Sequence, residues 1–142
     1  MLRLIGGTIA GIAAWVVIVT ALNLCLRHGW HDYAAVEKAM TFSTAMMAAR
    51  ISISGVSSFA SGFVAGLVDK GRWAPLASGT ILLLLFIPVH YSIWDRFPIW
   101  YHLTFLISLP ILSAVGGQLS ALARGFGSKR HHAEGGLCAS RL

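Results

Sequence analysis

Four apolar runs, each long enough to cross a bilayer as a helix, constrain this chain more than any other feature. They cover residues 4–26, 42–68, 74–94 and 98–123. A transmembrane helix needs about 20 predominantly apolar residues, and each run meets that length. The segments between the runs are too short to fold alone, so the runs can pack only against one another. The sequence therefore predicts an all-α integral membrane protein, a bundle of four transmembrane helices.

The low content of charge supports a lipid-solvated exterior. Charged residues make up 11% of the chain, against about 25% in a typical soluble domain. That leaves too little polar surface to cover a globule in water, so the first expected partner is the lipid bilayer. We predict one four-helix transmembrane domain over residues 1–123, followed by a flexible basic cytoplasmic tail over residues 124–142, which contains four glycines.

The distribution of basic residues predicts the orientation. With four spans both termini lie on one side, and that side carries seven basic residues: Arg3, Lys70, Arg72, Arg124, Lys129, Arg130 and Arg141. The other side carries three, which are Arg27, Lys38 and Arg96. Cytoplasmic loops carry the excess of Lys and Arg, so both termini are expected in the cytoplasm. Short loops and a compact chain are typical of a multi-pass protein of a bacterial cytoplasmic (inner) membrane. The net charge of +6 indicates contact with anionic lipid and no nucleic-acid partner.

Small residues recur at intervals of four in three of the runs. In lipid, helices associate where small side chains let backbones approach closely. The predicted packing residues are Gly7 and Gly11 in the first run, Ser58, Gly62 and Gly66 in the second, and Ser113, Gly117 and Ala121 in the fourth. These faces predict packing within one chain, and the alternative is a homodimer or a contact with another membrane protein.

Arg50 is the one charge within the second run. It shares a helical face with Ser54, Ser57 and Ser61, which follow at steps of four, three and four residues. A charged side chain that faces hydrocarbon is costly, so this stripe could line a polar pathway inside the bundle. Alternatively, Arg50 reaches the membrane interface and the serines bond to neighbouring helices. The sequence leaves both interpretations open.

Four histidines fall near one predicted face of the membrane. They are His28, His31, His90 and His102, and their imidazoles could bind a transition metal if the helix ends converge. Apart from this candidate metal site no cofactor is expected. Histidine is also an ordinary residue of the membrane interface.

Residues that perform chemistry are scarce in the remaining sequence. All five carboxylates lie outside the middle of the apolar runs, which argues against a proton-coupled transporter. The chain has no paired carboxylates, phosphate loop or nucleophile motif. We therefore expect a non-enzymatic membrane subunit or accessory factor that acts by helix association. The alternative is a small dimeric channel or transporter that uses the Arg50 stripe, and a third is a metal-binding membrane protein.

Overall fold

The computed structural model describes the backbone of residues 1–139 and the side chains of residues 1–125. Within this part of the chain the protein is helical throughout and contains no strand. The elements in chain order are α1 (Leu2–Gly29), α2 (His31–Val36), α3 (Thr44–Asp69), α4 (Trp73–Ser92), a 3-10 turn (Trp94–Arg96) and α5 (Ile99–Ala139).

Four of these helices are long and apolar enough to cross a membrane. They are α1, α3, α4 and the Ile99–Gly125 part of α5. The prediction of an all-α fold with four candidate spans is confirmed. The end of the structure that holds residues 70–72 is called the Lys70 end below. The opposite end, which holds α2 and the 3-10 turn, is called the aromatic end.

Local signals explain where these long helices begin and end. Ser43 caps α3, because its hydroxyl accepts a hydrogen bond from the Met46 amide. Lys70 ends α3 in the left-handed conformation, and its amide donates to the Gly66 carbonyl oxygen. Pro75 lies in the first turn of α4, where a missing amide hydrogen costs nothing.

Several helix boundaries differ from the predicted ones. Helix α1 extends to Gly29. Helix α4, which corresponds to the third predicted run, ends at Ser92 and is followed by the 3-10 turn. The short helix α2 was not predicted, because six residues are too few to show a helical pattern. The last helix continues past residue 123 to Ala139, so the segment assigned to the tail begins as helix. The prediction that residues 124–142 form a flexible basic cytoplasmic tail stays a prediction, and the side chains after residue 125 lie outside the described part of the chain.

Glycines bring the helices into close contact in the half of the bundle near the Lys70 end. Helix α3 packs against α1 on one side and α5 on the other. A Cβ placed on Gly11 would lie 2.9 Å from the carbonyl oxygen of Ser61, and one placed on Gly62 would overlap the backbone of Ser113. Gly7 similarly meets the Ala65 carbonyl oxygen, and Gly66 meets Ser120 and Gly117. The glycines therefore set the distance between the helix backbones in this half of the bundle.

One predicted packing residue lies off the packing face. Ala121 is exposed, whereas Gly116 and Ser120 are buried in the contact that α5 makes with α3. Each step of four residues overshoots a helical turn by about 40°, so a residue two such steps along has rotated off the face. Helix α4 adds a small face of its own, Ala74, Ser78 and Gly79, which was not predicted.

Candidate functional site

Arg50 lies half-buried inside the bundle near the aromatic end. Its Nη1 donates a hydrogen bond of 2.8 Å to the hydroxyl of Tyr33, and its Nε donates one of 3.3 Å to the hydroxyl of Tyr101. Its Cζ lies 4.8 Å from the ring centroid of Phe42. These three aromatic residues come from α2, α5 and the segment before α3, so the guanidinium is held at a point where several elements meet.

No carboxylate neutralises Arg50 within the described part of the chain. Both of its hydrogen-bond acceptors are tyrosine hydroxyls and not carboxylates. Glu37 lines a cavity together with Arg50, but its Oε2 lies 2.7 Å from Nε of Arg27 in an ion pair. Arg50 is therefore a positive charge in a partly desolvated position without an ionic partner on residues 1–125.

Two adjoining cavities open around Arg50. The outer cavity, of about 330 Å³, is bordered by the Arg27–Glu37 pair and by the α1 residues Val19 and Asn23. The inner cavity, of about 250 Å³, reaches from the same two residues to Ser54 and the ring of Trp15. Arg50 lines both cavities. Together they form a crevice that starts at the aromatic end and passes the guanidinium.

Ser54 is the polar group at the inner end of this crevice. Its side chain is 1% exposed, and its hydroxyl has no hydrogen-bond partner. A buried hydroxyl without a partner costs about 1–3 kcal/mol, so native proteins retain few of them. Ser54 lines the same cavity as Arg50, one helical turn away on α3. Arg50 and Ser54 therefore both line one small space, and the buried Ser54 hydroxyl beside it has no hydrogen-bond partner.

The remaining serines of the predicted stripe are buried in helix packing. Ser57 donates to the Ile53 carbonyl oxygen of its own helix, and Ser61 donates to Ser78 on α4. The structure thus brings Arg50 and Ser54 to a cavity but places Ser57 and Ser61 among packed side chains. The inner end of the crevice is formed by Trp15, whose Nε1 donates to Ser58 at 3.1 Å.

Between the inner end of the crevice and the Lys70 end, the bundle contains further buried hydroxyls. Ser78 and Ser113 both donate to the carbonyl oxygen of Pro75, and their hydroxyls lie 3.1 Å apart. Farther along, Arg124 donates to the Gly66 carbonyl oxygen and to the Ser120 hydroxyl. This half of the bundle is polar inside but closely packed.

The four candidate metal ligands separate into one pair and two isolated residues. His90 and His102 are buried, with their Nδ1 atoms 2.8 Å apart, and Nε2 of His102 has no partner. His28 is exposed and bonds to the Leu24 carbonyl oxygen of its own helix, and His31 is exposed as well. Residues 1–125 contain no group of three or more His, Cys, Asp or Glu side chains that could hold a metal ion.

Sequence reasoning missed most of the residues that surround Arg50. Tyr33 and Tyr101 gave no sign in the sequence of a contact with Arg50, yet both are buried and bonded to it. Asn23 lines both cavities, and its position in the otherwise apolar first run was the available signal. Trp15 gave none, because a tryptophan in an apolar run is unremarkable until its partner on another helix is known.

Comparisons with known proteins give no family to which the site could be referred. No family model, no curated protein and no solved structure matches the chain.

Proposed function

We propose that this protein is a small carrier for anions in a membrane, and that Arg50 is its binding group. The observation that carries the proposal is the half-buried guanidinium of Arg50, which lines two adjoining cavities without a carboxylate partner among residues 1–125. A charge in a membrane interior costs about 2.5–3.5 kcal/mol even where the surroundings adapt. An anion in the crevice supplies the missing counter-charge.

The shape of the crevice favours a carrier over an open channel. It begins at the aromatic end and stops at Trp15 and Ser58, below which the glycine contacts of α1, α3 and α5 close the bundle. A carrier holds its substrate at a site open to one side at a time, whereas a channel needs a continuous path. The buried hydroxyls of Ser78 and Ser113 lie on the closed side and offer polar contacts for an alternate arrangement.

The ligand is a small anion, either inorganic or a short carboxylate. The inner cavity measures about 250 Å³ and is also lined by Trp15, Phe86 and Phe105. It therefore accommodates a short apolar group of the ligand as well as its charge. The guanidinium presents donors in a planar fork that suits carboxylate and phosphate geometry. The Ser54 hydroxyl is free to donate to the same anion.

Flux and binding measurements test this function. Purified protein is reconstituted in liposomes, and the uptake of chloride, acetate and phosphate is measured, with binding followed by calorimetry in detergent. Arg50→Gln is expected to weaken binding about 10- to 100-fold, which corresponds to the loss of a hydrogen bond to a charged group. Arg50→Lys keeps the charge but not the fork and should fall between Arg50→Gln and the unmodified protein.

Arg96→Gln is the matched control. Arg96 is an exposed arginine at the aromatic end and does not line the crevice, so its loss removes the same charge without touching the site. If Arg50→Gln is folded and still binds and carries every tested anion as well as Arg96→Gln does, the carrier proposal is wrong.

For placement in the cell, we propose a bacterial cytoplasmic membrane with both termini in the cytoplasm. The excess of basic residues at the Lys70 end and in the segment after residue 123 supports this orientation. The crevice would then open to the outside. Helix association with another membrane protein, and binding of a metal by histidines, stay predictions that no contact in the described residues favours over anion binding.

A further inference from the structure

Two apolar grooves flank a single ridge at the Lys70 end of the bundle. The ridge consists of the exposed side chains of Trp73 and Leu76 on the first turns of α4. On one side, a groove of about 370 Å³ separates the ridge from α5, where Gly117 and Ala121 form its wall. On the other side, a groove of about 300 Å³ separates the same two residues from Leu4 of α1.

Positive charge lies at the top of this ridge. Lys70 and Arg72 both border the first groove, and Cζ of Arg72 lies 5.2 Å from the ring centroid of Trp73. Asp69, the carboxylate of the same turn, has its Oδ2 beside Gly71 and does not border either groove. A cationic group therefore caps a ridge that has apolar grooves on both sides.

We propose that one phospholipid with an anionic headgroup straddles this ridge, with an acyl chain in each groove and its phosphate beside Lys70 and Arg72. The number of grooves argues for a molecule with two chains. A helix of a second copy, about 10–12 Å wide, would occupy one groove and leave the other empty. The charge at the top of the ridge matches an anionic headgroup, and juxtamembrane Lys and Arg are a recognised attraction for such lipids.

The depth of the site agrees with this occupant. Tryptophan is enriched where the hydrocarbon meets the headgroups, so Trp73 marks the level of the phosphate. Lys70 and Arg72 precede it in the chain, on the side of water, and the grooves run from it along the apolar surface of α4. The site is separate from the Arg50 crevice, and it does not depend on the transport of any anion.

Native mass spectrometry tests the proposal with defined lipids. The full-length protein is mixed in detergent with equal amounts of dioleoyl phosphatidylglycerol and dioleoyl phosphatidylcholine, and the retained lipid is counted. We expect one phosphatidylglycerol per chain. Lys70→Asn and Arg72→Gln should each weaken its retention about fivefold, the effect of one basic residue near an anionic headgroup. Asn is chosen at position 70 because it tolerates the left-handed backbone there.

Arg3→Gln is the matched control, since Arg3 is an exposed basic residue at the same end that borders neither groove. Two further variants probe the chains: Ala121→Phe fills the first groove and Thr80→Phe the second. Either one should weaken retention of dioleoyl phosphatidylglycerol but spare lysophosphatidylglycerol, which has a single chain. Both replaced residues are exposed, so folding should survive.

Three results would overturn the proposal. The first is equal retention of the two dioleoyl lipids by the unmodified protein. The second is an Arg3→Gln variant that loses as much phosphatidylglycerol as Arg72→Gln does. The third is a lipid-free dimer that Ala121→Phe dissociates, which would assign the groove on α5 to a second copy of the chain. Retention of anion binding at Arg50 under any of these results would leave the carrier proposal standing.

Discussion

Arg50 donates a hydrogen bond of 2.8 Å to the hydroxyl of Tyr33, which ties the long helix α3 to the short helix α2. Tyr33 is fully buried, so the hydroxyl that accepts this bond is shielded from water. Since α2 belongs to the connection between α1 and α3, the contact anchors that connection, whose Glu37 borders the outer cavity. The orientation of the proposed anion-binding group therefore depends on a residue outside the membrane helices.

Removal of the Tyr33 hydroxyl should destabilise the protein, because Arg50 loses its shorter hydrogen bond. Tyr33→Phe is expected to lower the free energy of unfolding by about 1.5–3 kcal/mol, because the lost hydrogen bond has a charged donor. Tyr101→Phe should cost less, since its bond to Arg50 is 3.3 Å long. Tyr91→Phe, at a side chain that is 82% exposed, is the control. Thermal unfolding in detergent measures all three, and equal costs for Tyr33→Phe and Tyr91→Phe would contradict the role of this contact.

A substitution at Ser54 distinguishes a role of its hydroxyl in anion binding from a role in stability. Its buried hydroxyl has no partner, so Ser54→Ala should leave stability unchanged or raise it by about 1 kcal/mol. The same substitution should weaken anion binding about two- to tenfold, as expected for one neutral hydrogen bond. Ser57→Ala is the matched control, because the Ser57 hydroxyl is buried but bonded to its own helix. A loss of stability without a loss of binding in Ser54→Ala would refute the assignment.

The contact between α3 and α5 at Gly62 should not tolerate a methyl group. A Cβ at this position would overlap the backbone of Ser113, which cannot move without displacing the whole helix. Gly62→Ala is expected to cost about 1–3 kcal/mol or more. At Gly6 the nearest atom to a new Cβ is 4.0 Å away, so Gly6→Ala should be neutral or slightly stabilising. Unfolding of the two variants side by side gives the comparison, and similar stabilities would show that the helices are farther apart than described.

The histidine pair between α4 and α5 makes a prediction about tautomers. The Nδ1 atoms of His90 and His102 lie 2.8 Å apart, so in the neutral pair one Nδ1 must donate its hydrogen and the other must accept it. Nitrogen-15 NMR of histidine-labelled protein should therefore reveal one buried ring protonated at Nδ1, with its Nε2 bare. His90→Gln and His102→Gln should each remove that signal, which assigns it to the contact between the two rings. Two buried rings that both carry the hydrogen on Nε2 would be incompatible with the contact.

Cysteine labelling tests the orientation across the membrane. In a background where Cys25 and Cys138 are replaced by alanine, Arg96→Cys and Lys70→Cys place single exposed thiols at opposite ends. An impermeant thiol reagent on intact cells should modify residue 96 but not residue 70, because the Lys70 end is predicted to face the cytoplasm. Permeabilised cells supply the control, in which both thiols should react. The reverse pattern on intact cells would invert the proposed topology.

The four helices that are long and apolar enough to cross a membrane could be predicted directly from the local sequence. Each run, such as residues 74–94, contains enough apolar surface for transfer into hydrocarbon, and that free energy adds up residue by residue along the chain. The prediction of these helices required no knowledge of how they pack. Their exact ends were less predictable, because Gly29 and Ser92 are fixed by backbone geometry at turns that hydropathy does not encode.

The pairing of helix faces could be predicted only in part. Gly7, Gly11, Gly62 and Gly66 all lie at close contacts, since small residues are what close approach requires in lipid. Ala121 does not, because several faces of α5 offer small residues and the sequence does not rank them. The partner helix makes that choice: the backbone of Phe59 and Phe63 on α3 lies so close to Gly116 that a Cβ there would overlap it.

The sequence by itself determined that Arg50 is costly to expose to hydrocarbon and that it therefore either faces the bundle or reaches the membrane interface. Only the tertiary structure decided what surrounds it, because its partners Tyr33 and Tyr101 are 17 and 51 residues away along the chain. Hydropathy is a sum over neighbours in sequence, and it therefore identifies each span locally. A binding crevice depends on distances between separate helices, and these are set when glycine contacts near the Lys70 end bring the bundle together and leave space at the aromatic end.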